Sequence, residues 1–546
     1  MKKKLIGMSI CIILLVATIP VVSSLTTYKS SQNNQSRTDW IEKQKLLASD
    51  GSALDYFGTS VSLDGDTALI GAFNADVNGI ACGSAYVFNY ADNTWTEQTK
   101  LIASDGELFD CFGCSVSLDG DTALIGASDD DDHGSCSGSA YVFLRSGTTW
   151  TQQAKLLAFD GEAHDDFGCA VSVYGNTALI GASHDGDNGE AAGAAYVFTR
   201  TSNTWAFQAK LLASDGIAWD RFGSSVSLYG DIAIIGAPMD DDGKGSVYVF
   251  TRSGSTWTQQ QKLQASDGNM GHFFGYAVSL YMETVLIGAY GEDSHGQLSG
   301  SAYVFIRIGT TWAQQAKLLA LDNQEEDGFG WSVSLEGTTA VIGAPWDNDN
   351  GDNSGSTYIF TYSGNLWTQV SKILPSDGGE WQYFGNSVSH QMDTAFIAAD
   401  HDDDKGDNSG SVYVLEREED NTPPSAPYIT GPTSIKAKTA YLWNFTAIDP
   451  ENNDIFYQID WGDNTITDWI GSYHSGETMS QSHVYLYKGE YQIKAKAKDL
   501  YNNEGDWGTL SIYVPTAYNK PTNLWFWEQL LERFPNAFPI LRHLFY

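Results

Sequence analysis

Basic residues are scarce in this 546-residue chain, which has 30 Lys and Arg against 68 Asp and Glu and a formal charge of -38. Nucleic acids and anionic membranes are bound by clustered Lys and Arg, so neither is expected to be the main partner. Charged residues make up only 18% of the chain, below the roughly 25% of an average globular protein. The imbalance therefore reflects few bases and a local surplus of acids.

Cysteines are few, and their number in the expected mature chain is odd. Five remain once Cys11, in the N-terminal apolar segment, is set aside, so a complete disulfide framework is excluded. Cys82 and Cys136 stand at almost equivalent positions of an internal repeat. The sequence allows two alternatives for them, a disulfide bridge between neighbouring units or two unpaired thiols. Cys111 and Cys114 form a lone C-x-x-C without the second pair of a zinc site.

Long apolar runs are limited to one, from Leu5 to Val22, between three lysines and Ser23-Ser24. This order predicts a secretory signal peptide over residues 1–24, with cleavage after Ser24. The alternative is an uncleaved anchor, because about eighteen apolar residues just reach the length of a membrane span. Either way the chain is expected to be exported, to the cell surface or beyond it.

Seven sequence repeats dominate the remainder of the chain. The F-G pairs begin at Phe57, Phe112, Phe167, Phe222, Phe274, Phe329 and Phe384. A small residue closes an apolar run fourteen positions later, at Gly71, Gly126, Gly181, Gly236, Gly288, Gly343 and Ala398. A tyrosine then heads a third segment, at Tyr86, Tyr141, Tyr196, Tyr248, Tyr303, Tyr358 and Tyr413. A tryptophan opens the fourth, at Trp40, Trp95, Trp150, Trp205, Trp257, Trp312 and Trp367.

Each unit predicts four antiparallel strands, because its segments alternate or are continuously apolar and lack helical periodicity. An all-β, seven-bladed β-propeller over residues 40–416 follows, after a linker at 25–39. A linear β-solenoid is the alternative, although its repeats are usually shorter. Trp40–Ala48 is a spare fourth strand, and we expect it to complete the last blade.

A lysine follows each tryptophan by five residues. The seven are Lys45, Lys100, Lys155, Lys210, Lys262, Lys317 and Lys372. On the outermost strand of a blade, charged side chains protect an open edge against pairing with another chain. We therefore expect a protective role for them rather than a binding role.

The F-G pairs and the runs such as Ile234–Pro238 resemble the FG-GAP repeat, which is known from integrin α-subunit propellers and secreted microbial proteins. The resemblance covers residues 40–416 and implies a β-propeller. Calcium-binding FG-GAP repeats carry a D-x-D-x-D-G-like loop between the F-G and G-A strands. Here that connection is a tight turn such as Leu63–Asp66, so the family's calcium loop does not carry over.

The first and third strands of each unit run away from one face of the propeller, and the second and fourth strands run back to it. This alternation, which we call strand parity, places both long loops of every unit on that face. These loops hold 39 of the 68 acids, against only Arg221, Lys244 and Lys405. Oxygen-rich acidic loops with a turn-forming glycine are what Ca²⁺ needs, although Asp and Gly also favour turns without any metal. The candidate Ca²⁺ ligands are paired as D-x-D: Asp130 and Asp132, Asp185 and Asp187, Asp240 and Asp242, Asp347 and Asp349, Asp402 and Asp404.

Histidines among these acids are the candidates for catalysis: His133, His164, His184, His272, His295 and His401. They are scattered over several repeats, without an H-E-x-x-H or G-x-S-x-G motif. We therefore predict no catalytic residues and no enzyme activity.

Composition changes after the propeller, where residues 417–427 read as a linker. Residues 428–515 resemble a PKD domain, an immunoglobulin-like β-sandwich, through Tyr457–Asp463, His483–Tyr485 and Gly489–Tyr491. In the aromatic tail at 516–546, the short amphipathic helix expected over Leu524–Phe534 is too short to span a membrane. The tail is expected to be a sorting or attachment segment.

The sequence thus predicts a secreted or cell-surface adhesion or recognition protein. Its acidic propeller face would bind a protein or glycan. A calcium ion bridging that face and the ligand is one form of this prediction. We expect a monomer, no nucleic-acid partner, and association with the cell envelope through the tail. The alternatives are an enzyme acting on extracellular polymers and a purely structural envelope component.

Overall fold

A computed structural model describes residues 39–77, 80–418 and 421–515, together with positions 529 and 533. The predicted signal peptide, the start of the mature chain, and the tail apart from positions 529 and 533 lie outside these residues. Within the described part of the chain, no helix is both long and apolar enough to cross a membrane.

The described residues form seven four-stranded antiparallel sheets, the blades of a β-propeller. The innermost strands are Phe57–Asp64, Phe112–Asp119, Phe167–Tyr174, Ser225–Tyr229, Val278–Tyr281, Ser332–Glu336 and Val388–Gln391. The second strands are Thr67–Ala72, Thr122–Ala127, Thr177–Ala182, Ile232–Ala237, Thr284–Ala289, Thr339–Ala344 and Thr394–Ala399. The third strands are Ser84–Ala91, Ser139–Ser146, Ala194–Thr201, Ser246–Ser253, Ser301–Ile308, Ser356–Ser363 and Ser411–Glu418. The outer strands are Thr94–Leu101, Thr149–Leu156, Thr204–Leu211, Thr256–Leu263, Thr311–Leu318, Leu366–Ile373 and Asp39–Leu46.

The N-terminal strand closes the ring. Asp39–Leu46 pairs antiparallel with Ser411–Glu418 and becomes the outer strand of blade 7. Its alternating apolar residues Trp40 and Leu46 are 5% and 2% exposed, so the strand is anchored by burial as well as by backbone hydrogen bonds. This confirms the predicted exchange of one strand between the two ends of the repeat array.

A ring of serines connects the seven innermost strands. In blade 1, Ser62 Oγ accepts a hydrogen bond of 3.0 Å from the backbone N–H of Leu118 in blade 2. The innermost strand of a blade is a sheet edge, and this bond satisfies a donor that has no strand beside it. The same bond recurs around the ring at Ser117, Ser172, Ser227, Ser279, Ser334 and Ser389. Because Ser389 of blade 7 accepts from Leu63 of blade 1, the ring is complete.

Glycine in the F-G and G-A motifs permits close contact between neighbouring blades. A Cβ added to Gly126 would lie 2.0 Å from the carbonyl oxygen of Gly168 in the next blade. Gly168 itself has φ +97, a backbone conformation that strongly favours glycine. The repeat motif is therefore a packing requirement, in which the F-G turn of one blade sits on the G-A strand of the previous one.

Two short elements interrupt the long loops. The strands Asp76–Val77 and Ile80–Ala81 form a small hairpin in blade 1, and Asp240–Gly243 is a single helical turn in blade 4.

The second module is a two-sheet β-sandwich. One sheet contains Tyr428–Thr430, Ala440–Thr446 and Met479–Val484, and the other contains Ile470–Tyr473, Ile455–Asp460, Gly489–Lys498 and Gly508–Val514. Trp443 and Trp461 meet edge to face between them at 5.5 Å. Tyr485 donates a hydrogen bond of 2.8 Å to the carbonyl of Trp461, which anchors the turn of the D-W-G-D motif in the core.

Candidate functional site

Both long loops of each blade lie on one side of the propeller, as strand parity predicts. Asn74 Nδ2, in the loop after the second strand, donates to the carbonyl of Leu54 in the loop before the first strand at 2.8 Å. Between blades, Phe109 N–H donates to the carbonyl of Ala81 at 2.7 Å. We call this side the loop face. The loops before the innermost strands are 49–56, 104–111, 159–166, 214–221, 266–273, 321–328 and 376–383. The loops after the second strands are 73–77 with 80–83, 128–138, 183–193, 238–245, 290–300, 345–355 and 400–410.

A lysine stands at the centre of the acids in each blade. In blade 2, Lys155 Nζ lies 2.9 Å from Asp105, 2.8 Å from Asp130 and 2.7 Å from Asp132. The ring of Tyr141 lies below the ammonium group at 5.2 Å, and its hydroxyl donates to Asp105 and Asp130. Cross-strand pairing of Tyr141 with Lys155 brings these two side chains together.

The same cluster of one lysine and several acids recurs in the other blades, with the acids replaced where the sequence of the blade differs. Lys210, Lys372 and Lys45 contact the D-x-D pairs of blades 3, 6 and 7. In blade 4, Lys262 contacts Asp240 at 2.6 Å, whereas no contact between Lys262 and Asp242 is formed in the described structure. Blade 5 uses Glu292 and Ser294 in place of the aspartates. In blade 1, Lys100 contacts Asp50 and the carbonyl of Asp76.

The carboxylates hold these ammonium groups firmly. Burial alone would lower the pKa of Lys155, but its hydrogen bonds to Asp130 and Asp132 outweigh burial and raise the pKa. The pKa values of Lys45, Lys210, Lys262 and Lys372 are raised in the same way. These lysines are ion-pair partners inside the loop face, which corrects the prediction that they protect an exposed strand edge.

The D-x-D pairs do not fit Ca²⁺ in this arrangement. Asp130 is 3% exposed, and one of its carboxylate oxygens accepts the N–H of Asp132. Its other oxygen accepts from Ser139, Tyr141 and Lys155. Calcium takes six to eight oxygen ligands, whereas here a lysine already supplies the positive charge. Among the described residues, no group of three or more His, Cys, Asp or Glu could hold a metal ion.

In five blades, a second acid in the loop before the innermost strand is buried, and its pKa is raised. Asp110, Asp165 and Asp327 accept the backbone N–H three residues earlier, which caps the loop. Burial, reinforced by the nearby D-x-D carboxylate, raises the pKa of Asp110 and Asp165 to about 6 and that of Asp327 to about 7. The same position is His272 in blade 5 and Gln382 in blade 7, so a side chain without a carboxylate caps the loop there.

The candidate histidines are distributed over different blades. His184 pairs with Asp166 at 2.6 Å and His401 with Asp400 at 2.9 Å, while His272 caps a loop. Cys82, Cys111, Cys114, Cys136 and Cys169 are all free thiols, so of the two alternatives for Cys82 and Cys136 the structure has unpaired cysteines.

The residue before each loop-capping side chain, which is a buried acid in five blades, His272 in blade 5 and Gln382 in blade 7, projects from the loop face. These tip residues are Leu54, Phe109, His164, Trp219, Gly271, Glu326 and Trp381, all with φ between +66 and +80. Phe109, Trp219 and Trp381 are 61%, 53% and 54% exposed. The N–H of Trp219 donates to the carbonyl of Glu190, in the loop of the previous blade, which holds the backbone in this conformation. These residues are not among the sequence-predicted site residues, although an alignment of the seven repeats on the capping position identifies them.

The FG-GAP repeat family matches the chain seven times, at residues 40–88, 95–143, 150–198, 205–250, 257–305, 312–360 and 367–415. The chain belongs to the FG-GAP repeat family. Each FG-GAP match starts at the tryptophan of one outer strand and ends in the third strand of the next blade. The repeat is therefore offset from the blade by one strand, which is why the ring must close by strand exchange. FG-GAP repeats are typical of extracellular and cell-surface proteins.

The second module is similar to the PKD domain of an M14-like peptidase from Thermoplasmatales archaeon SCGC AB-540-F20. The two are 45% identical, over 18% of this chain and 99% of that chain, with a TM-score of 0.17. The PKD domain of the human VPS10 domain-containing receptor SorCS2 is 18% identical, over 19% of this chain and 82% of that chain, with a TM-score of 0.15. A biofilm associated protein, BSP domain, is 12% identical, over 81% of this chain and 77% of that chain, with a TM-score of 0.13. No curated protein matches the FG-GAP repeat chain.

Proposed function

We propose that this FG-GAP repeat protein is a non-enzymatic recognition or adhesion protein of the cell exterior, and that its loop face binds a protein or glycan. The observation that carries the proposal is the set of exposed tip residues, which includes one phenylalanine and two tryptophans on the same face. A large aromatic side chain at positive φ is a strained conformation, costing on the order of 1–3 kcal/mol. Strain of this kind clusters at binding sites, where aromatic residues also act as anchors.

Charge favours neutral or cationic ligands on this face. The seven lysines cancel part of the acid surplus, but Glu107, Asp131, Glu190, Glu380 and Asp403 are among the acids that remain exposed. A dense negative field attracts cationic surfaces and repels anionic ones over about a Debye length. Binding to a basic partner would therefore weaken as salt is added, whereas binding to a neutral glycan would not.

Calcium has no part in the proposed recognition. Nine of the ten carboxylates that the sequence marks as metal ligands contact a lysine of the same blade, Asp242 being the exception, so we take the loops to be organised without an added cation. The face is therefore ready to bind in the presence of a chelator.

The segments on either side of the propeller are assigned to export of the chain and to its presentation at the cell surface. The signal-peptide pattern at 1–24 favours secretion or surface location, and the β-sandwich after the propeller serves as a stalk or spacer. The tail at 516–546 would attach the chain to the cell envelope.

The test compares two variants of the full chain that carry the same number of exposed apolar replacements. The first replaces Leu54, Phe109, Trp219 and Trp381 with alanine on the loop face. The matched control replaces Met282, Ile308, Leu366 and Met392, which are 51%, 61%, 65% and 76% exposed in, or directly beside, the tight turns of the opposite face. Binding to protein and glycan arrays and to cells should be lost only in the first variant. Equal loss in both, or loss in neither, would disprove the role of the loop face.

A further inference from the structure

Blade 4 has an unusually short loop on the loop face. Eight residues, Pro238–Gly245, connect its second and third strands, whereas eleven residues make this connection in the other six blades. The shortening is visible in the sequence as the spacing of 52 instead of 55 between Phe222 and Phe274. Asp241 and Asp242 stand where Gly186–Glu190 stand in blade 3.

The missing residues uncover the neighbouring loop. In blade 3, Gly189 has φ +130 and packs so closely on Ala218 of the next loop that an added Cβ would lie 3.0 Å from its backbone nitrogen. Glycines at the same position cover the next loop in other blades: Gly134, Gly296, Gly351 and Gly406. The loop of blade 4, which is described in full, lacks this glycine. A groove of about 500 Å³ is left open there, and Met270 at its edge is 67% exposed.

The groove has an apolar wall and a polar wall. Ile217, Trp219 and Met270 form much of the apolar wall, and all three side chains are more than half exposed. Asp241 and Asp242 form the polar wall, both with left-handed backbone conformations, φ 54 and 60. Gln264 Nε2 donates to Asp241 Oδ2 at 3.2 Å, which orients that carboxylate.

Arg221 also lines the groove, and its presence restricts the chemistry of the ligand. A cationic side chain would be attracted by the two carboxylates but would meet the guanidinium, and an anion would face the reverse conflict. A hydroxyl group both donates and accepts, so it can use carboxylate and guanidinium together. Small-molecule sites commonly combine an apolar wall with a few such polar groups in 300–1,000 Å³.

We propose that the blade 4 groove binds a neutral saccharide. One sugar ring stacks its C–H face on Trp219, and its hydroxyls donate to Asp241 and Asp242 and accept from Arg221. This inference rests on the proposed recognition function of the loop face and names the ligand class of one site on it. The remaining tip residues then extend the contact surface rather than form the pocket.

The experiment uses the full chain and a panel of immobilised neutral saccharides: mannose, galactose, glucose, fucose and N-acetylglucosamine. Oligolysine and sialic acid are included as cationic and anionic probes. Trp219→Ala and the pair Asp241→Asn with Asp242→Asn should each weaken saccharide binding by about tenfold or more. Trp507→Ala is the matched control, because it removes the same type of side chain, 44% exposed, from the β-sandwich rather than from the loop face, and it should change affinity by less than about twofold.

A loop graft tests whether binding needs the open groove itself, because it fills the groove while Trp219 and Arg221 remain in place. Replacing Asp241 and Asp242 with the five residues Gly186–Glu190 of blade 3 restores the longer loop, fills the groove and should abolish saccharide binding without lowering the melting temperature. If the graft fails to fold, the Trp219→Ala comparison still decides.

Three results would overturn the inference. The first is that no neutral saccharide binds, and the second is that Trp507→Ala weakens saccharide binding as much as Trp219→Ala does. The third is that oligolysine alone binds and that its binding is lost in Trp219→Ala. These failures are distinct from failure of the proposed function. Suppose that the four-residue loop-face variant loses array binding while no neutral saccharide binds the wild type. That result supports the recognition function and disproves the saccharide site. If the wild type binds nothing through the loop face, both fall.

Discussion

Lys45 of the first strand lies 2.8 Å from Asp402 of the last blade, although 357 residues separate them. Asp402 is fully buried, and the lysine that neutralises it comes from the strand that closes the ring. Ring closure and completion of the seventh acid–lysine cluster are therefore the same event.

Removal of this lysine should destabilise the propeller strongly. Lys45→Met leaves Asp402 buried without its cation, and breaking a buried ion pair costs about 3–5 kcal/mol. The control is Lys43→Met on the same strand, because Lys43 pairs with Glu418 at the surface and such pairs contribute about 1 kcal/mol or less. Denaturant unfolding of both variants measures the difference. Equal effects would show that the Lys45 cluster does not hold the ring closed.

Calcium should leave the stability of the wild type unchanged. The cation position in blade 2 belongs to Lys155, so millimolar Ca²⁺ is expected to shift the melting temperature by less than about 1 °C, since little of it binds the folded state preferentially. In Lys155→Ala, Asp105, Asp130 and Asp132 lose their ammonium partner. Calcium is then expected to raise the melting temperature of that variant. A rise of several degrees in the wild type would restore the calcium prediction made from the D-x-D pairs.

Stability should fall as the pH rises from about 4 to about 7. Burial raises the pKa of Asp327 from 3.8 to about 7, so the folded state binds this proton more tightly than the unfolded state. Its stabilising contribution is complete below about pH 4 and is lost as the pH rises through 7, with a slope of at most about 1.4 kcal/mol per pH unit. Asp327→Asn should flatten the dependence, since Gln382 serves at this position in blade 7. An unchanged slope in the variant would contradict the buried-proton interpretation.

Aspartates with lowered pKa values act outside this window. Asp105 and Asp377 have pKa values below 3.8, because hydrogen bonds to Lys155 and Lys45 outweigh burial. Their contribution is present at neutral pH and is lost only as the pH falls below about 4. His390 acts inside the window with the opposite sign, because burial lowers its pKa to about 4 and its contribution to stability therefore rises with pH. The difference between Asp327→Asn and the wild type, rather than the wild-type curve alone, isolates the buried acid.

Close packing between blades predicts a severe effect of one methyl group. Gly126→Ala would place a Cβ 2.0 Å from the Gly168 carbonyl oxygen, and forcing backbones apart in a close-packed interior costs about 3 kcal/mol or more. Gly186→Ala is the control, because nothing lies within 4 Å of that Cβ and its φ is not positive. Similar unfolding free energies for the two variants would contradict the packing role of the G-A glycine.

Much of the fold could be predicted because the repeat constrains it. The seven F-G pairs set the number of blades, and the spare segment at Trp40 sets how the ring closes. Strand parity also places the acid-rich loops on one face, which Asn74 and Leu54 confirm by their contact.

The site could not be predicted to the same depth, because its chemistry depends on contacts between strands. The sequence shows Lys155 on an outer strand, but only its pairing opposite Tyr141 aims it at Asp130. From the sequence alone the D-x-D pairs resemble metal ligands. The structure shows that the Lys155 ammonium group occupies the position expected for the cation. Likewise, the spacing of 52 in blade 4 is plain in the sequence, but the groove beside Trp219 follows from how loops of adjacent blades cover one another.

The most direct test of the recognition face is photo-crosslinking from two positions in blade 7. A photoreactive amino acid replaces either Trp381 on the loop face or Met392 in a turn of the opposite face, in the full chain bound to cells or to an array ligand. The account predicts ligand crosslinks from position 381 and background levels from position 392. Crosslinks from position 392 alone would place the ligand on the other face and contradict the account.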